Sequence, residues 1–503
     1  MLKKIASVGS WTMVSRITGF GRDIVMAAVM GAGPITDAFV VAFRLPNHFR
    51  AIFGEGAFNA AFIPTYAKTR EAQGEAQGRL FASKIWTLSL IVQLVLLAAA
   101  LAAMPFVIGL LAPGFVGDPL RYDLAVTLTR ITFPYLLFVT LVTMLSALLN
   151  AHDRFAAAAG APVLLNLSLI GALLAAFLFP TAGHAAAWGV ALAGVLELLL
   201  VWVEARRVGI APAFVMPRPD LALKNFFKTF GPAVVGSAGV QIAMFADTII
   251  ASLLPVGAVS SLYYADRLYQ LPVGVIGIAA GTVLLPEMSR RIAAGEDDIA
   301  HRSQNRAVGL TLALALPCAV AFIIIPDLIM YALFGRGAFT LDDAQSAGAV
   351  LAAYSLGLPA VVLIRSALAS FYSRSDTLTP LYASLAAVAI NVVFKIILTG
   401  TYGVVGLALA TVIGAWVNLL LLVGLAWRRG WTAPDATLLK TVAAALVGCV
   451  LLGAFVIAAR GPIAEFTPGA IPLLAALAVG GGVVYGAGLF GALRVTGIRL
   501  RRR

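Results

Sequence analysis

The side chains in this sequence that could do chemistry are charges set inside apolar runs. Arg16, Arg22, Arg44, Arg50, Arg130, Arg267, Arg365 and Lys395 fall there, as do Asp23, Asp37, Glu55, Asp247, Asp266 and Glu287. A charge on a lipid-facing helix centre costs about 2.5–3.5 kcal/mol on insertion scales. Residues near span ends escape that cost by reaching water, which accounts for Arg130, Asp37 and Glu287. Arg22 and Arg50 lie about sixteen residues from the cytoplasmic side, close to mid-depth at about 1.5 Å rise per residue. Arginines outnumber carboxylates over this region, so pairing with Asp23 alone does not absorb them. A guanidinium fork matches phosphate oxygens two at a time. Arg16, Arg22, Asp23, Arg50 and Arg267 are therefore candidates for holding a polyanionic ligand. Gly19 and Gly21 would let the first helix bend and bring Arg16 and Arg22 to one cavity.

Two further constellations stand out. Glu55 and Arg365 lie in the cytoplasmic halves of their spans, in opposite halves of the chain, and could pair as a gate when the inner side closes. Asp247, Asn391, Lys395 and Thr411 lie at similar depth, with Asn391 and Lys395 four residues apart on one helix face. Oxygen ligands at such positions could hold Na⁺. Lys395 argues against that, because its ammonium can occupy the cation's place and pair with Asp247. No cofactor or metal is expected. Cys318 and Cys449 fall in apolar runs, with no CxxC motif.

The elements that must position these groups are membrane-spanning helices. The chain has 503 residues, 61% hydrophobic and 12% charged, with mean hydropathy +0.96. Runs such as "LSLIVQLVLLAAALAAMPFVIGLL" (88–111) are long enough to cross a bilayer. The pattern predicts an all-α polytopic membrane protein with about 14 spans. Among these spans are roughly 36–66, 124–150, 259–288, 307–334 and 343–372. With both termini placed in the cytoplasm, about 25 of the 36 Lys and Arg fall inside. Only Arg121, Arg336 and Arg460 fall outside, in outer segments where alanine at Arg121 or Arg336 should do little. This bias explains the net charge of +13 without a nucleic acid partner. Arg16, Arg22 and Asp23 interrupt the first apolar run, which argues against a cleaved signal peptide.

The chain also repeats at an offset of about 220. "AFRL" (42–45) matches "ADRL" (265–268), "GVALA" (189–193) matches "GLALA" (406–410), and "SAL" with Arg eight residues after its Ser occurs at 146–154 and 366–374. The reading is two pseudo-symmetric six-helix lobes, 1–215 and 216–430, with residues 431–503 holding an extra helix pair and a basic tail. An even number of spans per copy places both copies the same way up. That symmetry suits a cavity alternately open to either side.

"SRITGFGRD" (15–23) followed by "TDAFVVAFRLPNHFRAIFGEGAFNAAFIP" (36–64) resembles the lipid II flippase family, the MurJ or MviN proteins of the multidrug, oligosaccharidyl-lipid and polysaccharide exporter superfamily. The resemblance covers nearly the whole chain. It implies a bacterial inner-membrane protein that moves the polyprenyl-diphosphate-linked peptidoglycan precursor to the outer leaflet, with no covalent chemistry. It implies cavity arginines at Arg16, Arg22, Arg50 and Arg267, a groove for the lipid tail on the last two helices, and a sodium site at the second constellation. Lipid II and membrane lipids are the expected partners of a monomer. Two transport alternatives remain: a flippase for another polyprenyl-diphosphate glycan, and a cation-coupled multidrug antiporter, which would want an acidic cavity. An intramembrane glycosyltransferase would need a large polar loop with a DxD-type cluster, and none stands out.

Overall fold

A computed structural model describes residues 2–51 and 57–497. It is all-helical, with no strand among the described residues. In chain order the first half comprises α1 (Leu2–Met30), α2 (Pro34–Arg50), α3 (Ala57–Gln73), α4 (Glu75–Leu111), α5 (Pro119–Thr132), α6 (Pro134–Ala151), α7 (Ala156–Leu174), α8 (Ala182–Arg207) and α9 (Leu221–Ser252). The second comprises α10 (Ala258–Pro272), α11 (Ile278–Ala293), α12 (Asp297–Ile324), α13 (Pro326–Phe334), α14 (Leu341–Ser355), α15 (Leu358–Tyr372), α16 (Leu378–Arg428), α17 (Ala436–Phe466) and α18 (Ala470–Val495). Nine helical stretches among the described residues are long and apolar enough to cross a membrane. Contacts divide the chain into a first unit, Met1–Ser260 with Gly337–Phe339, and a second, Ser261–Arg336 with Thr340–Arg503.

Several apolar runs that read as single spans are broken where the sequence supplies a proline or glycine. Pro134, Pro326 and Pro359 each open a new helix in its first turn, where the missing N–H costs nothing. In the run 36–66, α2 extends to Arg50 with Ala51 still helical and α3 starts at Ala57, residues 52–56 lying outside the described ones. Its counterpart 259–288 carries a π-helical segment at Val273–Gly277 between α10 and α11. Within α16, Gly403 at φ 56° and ψ −132° turns the chain between two helices. A side chain there would be strained.

The repeat is written in the backbone as well as in the letters. Left-handed residues recur in pairs about 220 positions apart: Gly31 and Gly257, Gly74 and Gly295, Asp153 and Ser375, Gly209 and Gly430. The Asp153 and Ser375 turns share their closing bonds. Arg154 N donates to Leu149 O, and Asp376 N donates to Phe371 O, each at 2.9–3.0 Å.

α9 joins the first unit for a chemical reason. Phe226 lies across Phe58 and Phe81 with ring centroids at 5.8 and 6.4 Å, and Phe62 stacks on Phe81 at 5.8 Å. The connection leading into α9 is tied to one face of α4. Ala213 N donates to Ser83 Oγ (3.0 Å), Val215 N to Thr87 Oγ1 (3.0 Å), and Lys84 Nζ to Asp220 Oδ2 (2.5 Å). Asp220 also caps α9 by accepting from Leu223 N. In the second unit α17 packs against α12 and α18. Gly448 faces Gly488 and Tyr485 closely enough that a Cβ at Gly448 would lie 2.9 Å from the ring. Such small-residue contacts let helices approach without a hydrophobic drive between them.

Candidate functional site

The first unit encloses a cavity of about 440 Å³. Its walls come from α1 (Ser15), the end of α2 (Arg50), the start of α3 (Asn59), α6 (Tyr135, Thr143, Ser146, Asn150), α7 (Asn166) and α8 (Glu197). Apolar side chains such as Val139, Val142 and Leu165 complete it. Amides and hydroxyls therefore surround one guanidinium and one carboxylate. The Oδ1 atoms of Asn59 and Asn150 are buried and have no protein hydrogen-bond partner among the described residues. Acceptors left open this way suit a ligand bearing N–H and O–H groups, because a buried polar atom is costly unless something bonds it.

Arg22 sits beside this cavity in a bonded set. Its Nε and Nη2 donate to Asp23 Oδ1 at 3.0 and 2.7 Å, and its Nη1 donates to Asn166 Oδ1 at 3.1 Å. The Asn166 amide in turn donates to Ser15 O (3.0 Å) and Thr18 Oγ1 (3.2 Å), which fixes its orientation. Arg22, Asp23 and Asn166 are all under 10% exposed. Arg16 is exposed while Arg22 is buried, and α1 is helical from Leu2 to Met30. α1 shows no break in its helix at Gly19 or Gly21. A Cβ at Gly19 would lie 3.4 Å from Asn166 Nδ2, so that glycine serves the close approach of α7.

Glu197 is not among the charges singled out from the sequence. Its only signal there is one acid in the run "GVLELLL" (194–200). It is 3% exposed, and the Tyr135 hydroxyl donates to its Oε2 at 3.3 Å. Asn166 likewise carries no motif.

Two expectations at the outer end of the unit are corrected. Asp37 does not snorkel to water but is fully buried, accepting from Gly257 N (2.8 Å), Ser260 N (2.9 Å) and Ser260 Oγ. Arg121 is not an idle loop cation. It is 7% exposed, lies 3.8 Å from Asp37 Oδ2, donates to Asp118 Oδ2 at 2.7 Å and covers the Phe115 ring at 4.7 Å. The Arg121 backbone N–H, and then its guanidinium, hold the Asp118 carboxyl below the usual carboxylate range. Asp118 caps α5, and the α5 start, α2 start and α9–α10 loop meet at this cluster.

The remaining candidates divide between the units. Asp247 is on α9 in the first, and Arg267, Arg365, Asn391, Lys395 and Thr411 are in the second. Arg267 is half-buried, with its guanidinium over Tyr263 at 4.8 Å. Asn391 and Thr411 come from the two halves of α16. Asn391 Nδ2 donates to Ala410 O at 3.2 Å, and the Thr411 hydroxyl donates to Leu407 O. Gly414 makes room for this, since a Cβ there would lie 2.8 Å from that of Asn391. Lys395 is 1% exposed, one turn along from Asn391. Arg365 is exposed, its stem lying along Gly277 and Gly281. Its suggested gate partner, Glu55, lies outside the described residues. Among the described residues no cluster of three or more His, Cys, Asp or Glu could hold a metal ion.

A polar cavity sunk among membrane-spanning helices is an arrangement that suits a membrane transporter. A solved structure titled "Inward-facing conformation of a multidrug resistance MATE family transporter of the MOP superfamily" superposes with a TM-score of 0.68 at 16% identity, covering 87% of this chain and 99% of that one. One titled "Lipid II flippase MurJ, inward closed conformation" superposes at 0.81 with 24% identity, covering 97% and 98%. In sequence, the profile of the family "Lipid II flippase MurJ" matches residues 26–476. The "Probable lipid II flippase MurJ" of Rhizobium meliloti (strain 1021) is 42% identical over 460 residues, 90% of this chain and 86% of that protein. The "Lipid II flippase MurJ" of Burkholderia cenocepacia is 32% identical over 462 residues, 90% and 88%. The chain belongs to the lipid II flippase MurJ family.

Proposed function

We propose that this chain carries lipid II from the inner to the outer leaflet of the bacterial inner membrane by alternating access. The observation that carries the reading is the polar cavity within a membrane-spanning bundle, holding Arg50 among amide and hydroxyl side chains. That chemistry fits a head group with a diphosphate, sugar hydroxyls and peptide amides. It fits a cationic drug poorly, since the described lining has one carboxylate, Glu197, and one guanidinium, Arg50, and so carries no excess of acid. Membership of the flippase family supports the same choice over another polyprenyl-diphosphate glycan.

In this reading Arg16, Arg22 and Arg50 serve the diphosphate from the first unit, with Asp23 aligning Arg22, and Arg267 serves it from the second. The repeat boundaries at 1–215 and 216–430 describe the two moving lobes, and 431–503 supplies the tail groove and a cytoplasmic terminus. Glu55 and Arg365 close the inner side. Lys395 stands in for a coupling cation near Asp247, Asn391 and Thr411. The protein works as a monomer and needs no cofactor. The decisive experiment places the purified chain in liposomes carrying fluorescent lipid II and follows its appearance in the opposite leaflet. Wild-type protein should accelerate the exchange, and Arg50→Ala should not. Equal rates for empty and protein-containing vesicles would refute the reading. Cysteines at 55 and 365, in a background lacking Cys318 and Cys449, should cross-link in one conformational state and not in the other.

A further inference from the structure

The first turns of α9 face two ways. Leu223 and Phe226 are buried, with Phe226 against Phe58 and Phe81. Leu221, Lys224 and Lys228 share the other face with Phe227 at its edge, and all four are exposed. A face that mixes bare hydrocarbon with ammonium groups suits the boundary between bilayer and water. The geometry places it at that level. α9 has 32 residues, about 48 Å at about 1.5 Å each, and overruns a hydrocarbon core of about 30 Å. The connection leading into it bonds Ser83 and Thr87 of α4, where the apolar run of α4 begins at Ile85. Phe214 and Met216 on that connection are exposed as well.

Two hollows meet here, both within the first unit. One, of about 570 Å³, is walled by Pro219, Asp220, Leu221, Leu223, Lys224 and Phe227. The other, of about 170 Å³, follows α4 from Ile85 to Leu96 and is closed by Phe58, Phe226, Phe227 and Phe230. Phe227 lines both. The second is apolar except for Ser89 and a bonded pair, Gln93 Nε2 donating to Thr140 Oγ1 at 3.1 Å, and it opens beside the exposed Val92. In the first, the Asp220 carboxylate is taken by Lys84 Nζ and by Leu223 N–H, so it does not neutralise Lys224. Lys224, Lys228 and Arg218 make no ion pair among the described residues. We infer that this face is a seat for an anionic phospholipid from the leaflet at the basic end of α9. The lipid phosphate lies against Lys224, with Arg218 and Lys228 adding attraction. One acyl chain passes Phe227 into the groove between α4 and α9. A zwitterionic phospholipid carries the same chains, but its own cation offsets the phosphate, so it binds less well. The seated lipid ties the start of α9 to α4 beside the bonds at Ser83 and Thr87, and steadies the connection between the two copies of the repeat. The inference is independent of the transport reading.

The test places the full chain in phosphatidylcholine nanodiscs with a fluorophore on Val92→Cys, in a background lacking Cys318 and Cys449. Phosphatidylglycerol or phosphatidylcholine with brominated chains is added at equal mole fraction, and quenching reports a chain beside residue 92. Brominated phosphatidylglycerol should quench more strongly than brominated phosphatidylcholine. A fluorophore on Val450→Cys, at an exposed position of α17, should be quenched equally by both. Lys224→Gln, at an exposed side chain, should reduce the preference for phosphatidylglycerol about fivefold, as expected for one cation near the lipid surface. Ser89→Phe, which fills the groove and leaves the cations in place, should lower quenching by phosphatidylglycerol to the level of phosphatidylcholine. Equal quenching by the two lipids at residue 92, or a preference unchanged in Lys224→Gln, would overturn the seat. A preference unchanged in Ser89→Phe would overturn the path of the chain. Unlabelled lipid II that relieved the quenching, and did so less well in Lys224→Gln, would assign the seat to the substrate and overturn the phospholipid.

Discussion

Arg22 and Arg50 come from one stretch of sequence, yet Arg22 also has a structural part to play. Arg22 is locked to Asp23 and Asn166 and holds α1 to α7. Arg22→Ala leaves a buried carboxylate and an amide without that partner, and breaking such a pair costs about 3–5 kcal/mol. A lower thermal midpoint in detergent should show it, with Arg22→Lys intermediate. Arg50 lines the cavity, so the effect of Arg50→Ala should appear in ligand binding. It should weaken lipid II binding tenfold to a hundredfold, as expected for a charge-assisted contact of about 1.5–3 kcal/mol. Arg121 reverses the expectation that its loop position suggests. Arg121→Ala should destabilise by about 1.5–3 kcal/mol, because Asp37 keeps Gly257 and Ser260 but loses its cation. Arg336→Ala, at an exposed side chain, should not. The sequence exposed the arginines because charge in an apolar run is conspicuous. It hid Glu197 and Asn166, since one polar letter among leucines says nothing about what lies across from it. It also misjudged Asp37 and Arg121, because closeness to a span end does not reveal whether a neighbouring loop folds over that end.

At the scale of elements, caps and breaks decide where helices begin and stop. The turn before α16 is held by Asp376. The Thr379 backbone N–H, then its hydroxyl, and Arg429 keep that carboxyl below the ordinary carboxylate range. A carboxyl lowered in the folded state contributes stability that is complete above its unfolded value, near 4. The contribution fades as pH falls through the lower folded value. The thermal midpoint of wild type should therefore exceed that of Asp376→Asn at neutral pH, with the gap closing below about pH 4. A gap that widened on acidification would contradict this. Helix existence was readable from apolar runs, and the breaks at Pro134, Pro326 and Pro359 have a proline to announce them. Other prolines mislead, because Pro46 lies inside α2 and Pro64 inside α3, and neither marks a break.

For the molecule as a whole, the repeat was legible because matched letters kept their order, and left-handed turns recur at the same spacing in the backbone. The grouping of α9 with the first unit was not legible from the repeat, since it depends on Phe226 meeting Phe58 and Phe81. Ion coupling belongs to this scale too. With an ammonium buried at Lys395, lipid II transport should proceed equally in Na⁺ and K⁺. A strong Na⁺ requirement in wild-type vesicles would rule out the tethered-cation account. The connection laid along α4 carries a last consequence. Ala213, Val215 and Asp220 are each fastened to that helix, and the bonds do not depend on covalent continuity between residues 209 and 212. A gene divided after Gly209 should therefore yield two polypeptides that find each other when made together. The second would bring its own anchor to Ser83, Lys84 and Thr87, and co-purification of the halves through a tag on either one would report it.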